Sequence, residues 1–240
     1  MHSETDDNTV SRTYTLHYYF DPLCGWCYGA APLLNQARQL ASELAGQDIR
    51  LNMELHPGGM FSKPHCMPVS ERFRAMANHH DARIADLTGQ IFGQAYQQEL
   101  LFDTARILDS TPPSVAVLAA QSMAGKGTDM LHSLQRAHYI EGLDITAEKV
   151  LLQRAAEVLN NPQDFLHSLS VITPRISERF NDCHQQMLRF NLRGYPGFVL
   201  ETAPAPAVNN PAEPHFRVLN HQPFYGQPMA FADHLTSLLT

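Results

Sequence analysis

Two periods divide the chain. From Thr13 to Phe20, Tyr14, Leu16, Tyr18 and Phe20 alternate with Thr13, Thr15, His17 and Tyr19, a period of two that predicts a β-strand. After the breaker Asp21-Pro22-Leu23, apolar residues recur at helical spacing at Ala30, Leu33, Leu34, Ala37, Leu40, Ala41 and Leu44, with Gly46 as a stop signal. Ile49, Leu51, Met53 and Leu55 return to alternation. This opening reads as strand, crossover helix and strand, and a helical crossover joins parallel strands. Pro57-Gly58-Gly59 ends the unit.

From about Pro68 to Asn191 the period is helical, and four to six helices are expected. Ser114 after a proline pair, Asp129 ahead of Leu131 and Leu134, and Thr146 ahead of the run from Ala147 to Leu159 are read as N-cap residues. Near Pro174 another helix begins, whose Ile176, Phe180, Cys183, Met187 and Phe190 share one face. Beyond Gly194-Tyr195-Pro196-Gly197, the run Phe198-Val199-Leu200 reads as a buried strand. Thr202 to Pro214, with four prolines and two asparagines, reads as a loop. Phe216 to Leu219 makes a partner strand and Phe231 to Leu239 a closing helix. The order is β-α-β, a helical block, then β-β-α.

Composition narrows the class. With 240 residues, 44% hydrophobic and only 17% charged, but no long apolar run, the chain is neither disordered nor membrane-spanning. A formal charge of -7 leaves no basic footprint for a phosphate backbone, so nucleic acid is excluded as the expected partner. The first eight residues are polar and acidic and lack the positive segment and apolar stretch of a secretory signal, which leads to a cytoplasmic expectation. Four cysteines are too few for a disulfide scaffold, and a reducing cytosol would not keep structural disulfides, so a close pair points to chemistry.

That pair is Cys24-Gly25-Trp26-Cys27, placed where the first strand hands over to the first helix. Two cysteines three apart in a first helical turn share a face, with Cα atoms near the separation of about 5–6 Å that a disulfide needs. A helix N-terminus stabilises a thiolate, which makes Cys24 the expected nucleophile. Cys27, a turn further in, is the expected resolving partner, attacking a mixed disulfide formed on Cys24. The alternative is half of a zinc site. Its second half would have to come from His65 and Cys66 or from His79 and His80, neither of which has a familiar ligand spacing.

Strand, Asp21-Pro22-Leu23-Cys24-Gly25-Trp26-Cys27-Tyr28, helix, strand, helical block, then Gly194-Tyr195-Pro196-Gly197-Phe198 and a closing βα pair: this order resembles the DsbA-like branch of the thioredoxin superfamily, and within it the FrnE-type protein-disulfide isomerases of bacteria. The resemblance runs from about residue 13 to 238. It implies an α/β thioredoxin fold made of residues 13–60 and 191–240, with 61–190 as an inserted helical domain and 1–12 as a flexible tail. It also implies that Pro196 is cis and that Tyr195 and Pro196 form a platform for an extended substrate segment. The activity implied is thiol-disulfide exchange on protein disulfides, with no bound cofactor, cysteine-containing proteins as substrates, and glutathione or a thioredoxin system as electron partner. One departure is the Gly-Trp dipeptide, where strongly oxidising relatives carry Pro-His and thioredoxins Gly-Pro; it leaves the redox potential open.

Two other functions stay open at this point. Glutathione-dependent isomerases and kappa-type transferases share the fold but use a single Ser or Cys, whereas a chaperone or binding module would use the helical block alone. An exposed apolar face on that block could support a homodimer. Cys183, on an apolar stripe, is expected in the core, and Cys66, between Pro64 and Pro68, in an exposed loop. Trp26 is expected either to contact substrate or to cover the helix start, and Asp21 to fix the turn or tune Cys27. His56 to Phe61 is expected beside the active-site edge. Thirteen histidines are scattered, and only proximity in space could make any of them functional.

Overall fold

In chain order the elements are β1 (Arg12–Phe20), α1 (Gly25–Gly29), α2 (Ala31–Glu43), β2 (Ile49–Pro57), β3 (Met67–Pro68), α3 (Glu71–Thr88), α4 (Gln94–Gln98), β4 (Ile107–Leu108), α5 (Thr111–Ala124), α6 (Gly127–Tyr139), α7 (Glu148–Val158), α8 (Phe165–Ile172), α9 (Ile176–Arg189), β5 (Gly197–Thr202), β6 (His215–Leu219) and α10 (Pro228–Leu239). This is a computed structural model, and it describes residues 12–45, 47–160, 162–203 and 213–239. The expected tail up to residue 11, the Gly46 stop signal and the middle of the 202–214 loop lie outside the described residues.

The main sheet has the order β2-β1-β5-β6. β1 runs parallel to β2 and antiparallel to β5, and β5 runs antiparallel to β6. Alternation along β1 sends Leu16, Tyr18 and Phe20 into a core shared with Leu33 and Ala37 of α2 and Phe231 and Leu235 of α10. Tyr19 points the other way and meets Cys183 and Met187 of α9 together with Val199. β1 is therefore buried on both faces, as expected of a central strand between helical layers.

The crossover is two helices rather than the single run expected from Ala30. Pro32 has no N–H to give the Tyr28 carbonyl, which instead accepts from Gln90 Nε2 at 2.8 Å, and the chain bends at Ala30. Among the described residues seven α-helices, one of them a single turn, fill the block where four to six were expected. Three expected caps fall elsewhere. Ser114 lies inside α5, because Pro112 and Pro113 take the first turn, where no N–H is needed, and Ser110 is the cap. Asp129 lies in the first turn of α6, ion-paired to Arg38 and, at 3.1 Å, to Lys126. Thr146 precedes the true cap Ala147 and donates both its N–H and its hydroxyl to Asp144. The β3–β4 ribbon was not expected, since strands of two residues have no period to read.

The antiparallel pairing of β1 with β5 fixes the site. Tyr19 lies opposite Gly197, so the chain leaving β1 and the chain entering β5 run side by side. Residues 21–27 and 194–196 are thereby brought to one edge of the sheet.

Candidate active site

Cys24 is the N-cap of α1, in an extended conformation (φ -87, ψ 115). Its N–H donates to the Asp21 carbonyl at 3.1 Å, and its carbonyl accepts from the N–H groups of Cys27 and Tyr28 at 3.0 and 3.1 Å. Both cysteines are free thiols; Cys24 keeps 8% exposure and Cys27 none. Gly25 follows for a steric reason, because a Cβ there would come within 3.1 Å of Asp81 Oδ1 and of the Ile84 side chain on α3.

The Tyr195–Pro196 bond is cis, as the resemblance implied; a second cis bond joins Lys63 to Pro64. The Tyr195 carbonyl accepts from Cys24 Sγ at 3.7 Å. The Tyr195 ring lies over Gly58, where there is no room for a side chain, and its hydroxyl pairs with the Cys183 thiol. Tyr195 thus turns its backbone to one cysteine and its phenol to another.

Asp21 sits beneath the turn, fully buried. Its carboxylate accepts from the N–H of Leu23 (2.9 Å), the N–H of Met60 (2.6 Å) and the hydroxyl of Ser110 (2.8 Å). Burial outweighs these bonds and pushes the carboxyl up to about 6. Asp21's own N–H points at Cys27 Sγ, 3.5 Å away. Burial first, and then the neighbouring Cys24, raise the Cys27 thiol well above its ordinary value. The Tyr18 hydroxyl reaches the Cys27 carbonyl at 3.4 Å.

Beside Trp26 opens a cavity of about 400 Å³ lined by Trp26, Arg83, Leu87, Tyr195, Gln222 and Tyr225. Arg83 lies 5.7 Å from the Trp26 ring, and the Tyr225 ring 5.6 Å from it. The Tyr225 hydroxyl donates to the Trp26 carbonyl at 3.4 Å. A second groove of about 460 Å³ follows residues 191–198 and 218–222, along the proline loop. The site thus offers a thiol, a half-buried peptide edge at Tyr195 and a half-aromatic cleft with one cation.

All five sequence-predicted site residues, Cys24, Cys27, Trp26, Tyr195 and Pro196, gather at this edge. The His56–Phe61 segment also lies there: the N–H groups of Met60 and Phe61 donate to Asp21 and Ser110. Arg83, Ser110, Gln222 and Tyr225 had no signal in the sequence, since α3, the loop before α5 and the segment after β6 reach the cysteines only through the fold. Cys183 is buried, donates to the His56 carbonyl at 3.5 Å and is pushed up to about 12 by burial. Cys66 is partly exposed, donates to the Phe61 carbonyl at 3.0 Å and is also raised, burial being the largest cause. Among the described residues, none of His65, Cys66, His79 and His80 joins the Cys24–Cys27 pair in a group of metal-binding size.

A family described as "DSBA-like thioredoxin domain" matches residues 15–213. No curated protein matches the chain. Among solved structures, the cytosolic disulfide reductase DsbM from Pseudomonas aeruginosa, described with GSH, is 39% identical, with 94% of this chain and 98% of that one covered and a TM-score of 0.77. The same reductase without GSH in its description is 38% identical over the same shares. A candidate protein disulfide isomerase from Nitrosomonas europaea is 21% identical, with 94% and 97% covered and a TM-score of 0.69, a likeness of fold.

Proposed function

The chain belongs to the DSBA-like thioredoxin-domain family and is a thiol-disulfide oxidoreductase of that type, and we propose that it reduces protein disulfides through the Cys24–Cys27 dithiol at the expense of glutathione. The observation that carries this reading is the meeting of Cys24 Sγ with the Tyr195 carbonyl, beside cis-Pro196 and in front of the buried Cys27.

In this reading the Cys24 thiolate attacks one sulfur of a substrate disulfide. The substrate S–S bond breaks, a Cys24–substrate disulfide forms, and the other sulfur leaves as a thiol once protonated. Cys27 then attacks Cys24 Sγ, releases the second substrate thiol and closes the Cys24–Cys27 disulfide. Two electrons have passed to the substrate, and two glutathione molecules return them as they become glutathione disulfide. Burial first, and then the neighbouring Cys24, oppose the ionisation of Cys27, so Cys27 stays a thiol until Cys24 has reacted. The Tyr195 backbone offers an extended substrate segment one edge of strand-like pairing.

The cleft beside Trp26 is assigned to glutathione. It adjoins the reacting cysteine, its Arg83 suits a carboxylate, and a relative 39% identical is described with GSH. The helices between β2 and β5 are assigned to an insertion spanning 61–190, because every strand of the main sheet lies in 12–57 or 197–219. A cytoplasmic site of action fits both the relative described as cytosolic and a glutathione-dependent direction; among the described residues no helix is long and apolar enough to cross a membrane.

The test is a trap. The Cys27→Ser variant, mixed with a disulfide-bonded protein such as insulin, should accumulate a covalent complex mapped by mass spectrometry to Cys24. A complex mapped to Cys66 or Cys183, or none at all, would remove the reading.

A further inference from the structure

On the face of the sheet covered by α9, two histidines and two carboxylates from three strands converge. His17 of β1 and His56 of β2 bring Nδ1 and Nε2 to 2.9 Å from one another. Glu54, two residues before His56, brings Oε2 to 3.5 Å from His17 Nδ1 and Oε1 to 3.9 Å from His56 Nε2. Parallel register explains the meeting: His17 is paired with Glu54 and Tyr19 with His56, so all three side chains leave the same face. On the far side of His17, Glu201 of β5 holds Nε2 at 2.8 Å.

We propose that His17 Nδ1, His56 Nε2 and the Glu54 carboxylate bind a divalent borderline metal ion of the zinc type, with Glu201 orienting His17. The spacing is close to that of a site: bonds of about 2.0–2.2 Å in a tetrahedron place ligand atoms roughly 3.3–3.6 Å apart, the two nitrogens lie 2.9 Å apart, and one ligand atom from each of the three residues lies within 4.8 Å of the others. Nitrogen and oxygen ligands without thiolate select zinc-like ions over calcium or magnesium.

The outer contact has the right sense. Glu201 can only accept, so the proton of the neutral His17 ring goes to Nε2, and Nδ1 presents its lone pair to the other ligands. His56 Nε2 faces His17 Nδ1 at 2.9 Å; when the ion binds, the single proton of the neutral His56 ring sits on Nδ1, so that both facing nitrogens present lone pairs and no proton is lost from either ring. Burial also fits a built site. The histidine side chains are 8% and 9% exposed, whereas Glu54 is 57% exposed and forms the entry. Burial, and then His17 and Arg179, disfavour a proton's charge on His56, while Glu54 and Glu201 set two carboxylates around the pair of rings. Among the described residues no other three His, Cys, Asp or Glu side chains come together in this way.

The position also has a consequence for the cysteine edge. The His56 carbonyl accepts from the Cys183 thiol, which pairs with the Tyr195 hydroxyl, so an ion that tightens β1 to β2 does so two contacts away from the proline loop.

Cobalt(II) serves as the probe, because its visible spectrum reports ligand type. The full-length Cys24→Ser/Cys27→Ser variant removes competition from the dithiol. Titration should show one equivalent bound, with d–d bands and no thiolate charge-transfer band, and zinc should displace it. In that background Glu54→Gln, an exposed change that leaves the core intact, and His56→Ala should each weaken binding at least about tenfold, and Glu201→Gln about 10–100-fold. A thermal melt of each variant without metal checks that it is folded. No binding, binding with thiolate bands, or an affinity indifferent to Glu54→Gln and His56→Ala each overturns the assignment.

Discussion

Cys24 and Cys183 stand on opposite sides of Tyr195, and the same residue type meets two fates there. Cys24 caps a helix at the end of a strand, retains a little exposure and faces the Tyr195 carbonyl. Cys183 lies mid-helix on the α9 stripe, nearly fully buried, bonded to the His56 carbonyl and the Tyr195 hydroxyl, and pushed up to about 12 by burial. One thiol can meet a second sulfur arriving from outside; the other is a small hydrophobe with a satisfied hydrogen bond. Location in the fold, rather than residue identity, separates chemistry from packing. Tyr195 is the wall between the two.

The sharpest way to break this contrast is to remove each thiol in turn. Cys24→Ser should lower glutathione-driven reduction of insulin by about a thousandfold or more, as loss of a nucleophile does, while Cys183→Ala should leave it within about twofold. Comparable losses in both would end the distinction.

Asp21 supports the Cys24 side only. Asp21→Ala strands the N–H groups of Leu23 and Met60 and the Ser110 hydroxyl, and at about 1–3 kcal/mol for each buried unpaired donor, less the relief of a buried carboxyl, the expected loss is roughly 3 kcal/mol in urea unfolding. The pH dependence has a definite sign. A folded carboxyl at about 6 against an ordinary 3.8 holds its proton more tightly than the unfolded chain does. Its stabilising share is full below pH 4 and falls by about 3 kcal/mol as pH rises through 6. His56 and His221, lowered to about 3 and 4, and Asp81, raised to about 7, titrate over the same range, so the decline is read as the difference between the wild-type and Asp21→Asn unfolding free energies, which should fall by this amount between pH 4 and 7.

Smaller effects probe the wall itself. Gly58→Ala has no space beside the Tyr195 ring, so the proline loop must shift; KM for a protein disulfide should rise about tenfold with little change in the rate of Cys24 alkylation. Cys183→Ala removes one sulfur from a packed site and should cost about 1–2 kcal/mol in thermal unfolding. If Gly58→Ala alters neither loop nor KM, Tyr195 is not the platform.

Much of this was legible in advance, for identifiable reasons. Alternation at Tyr14 to Phe20 and Ile49 to Leu55 wrote the parallel pair, and the cysteine motif marked the strand–helix junction to which the proposed chemistry is assigned. The order of elements brought Tyr195-Pro196 to the same edge. Local capping misled at Ser114, Asp129 and Thr146, because prolines, ion pairs and side-chain turns compete for the same polar groups. Pro32 breaks the first helix locally, but the carbonyl it frees at Tyr28 is satisfied by Gln90, some sixty residues away. Arg83 and Tyr225, and the cluster of His17, Glu54, His56 and Glu201, are brought together only by tertiary packing and strand register. No spacing along the chain announces them.

The most direct test of the central claim is a redox titration of the wild-type protein in glutathione buffers of graded potential, with alkylation and peptide mapping at each point and Trp26, the single tryptophan, as optical reporter. The account predicts one two-electron transition that converts two free thiols into a Cys24–Cys27 disulfide, with Cys66 and Cys183 unchanged. A Cys24 that is only capped by glutathione while Cys27 stays free at every potential would contradict it, and would move the chain toward single-cysteine glutathione chemistry.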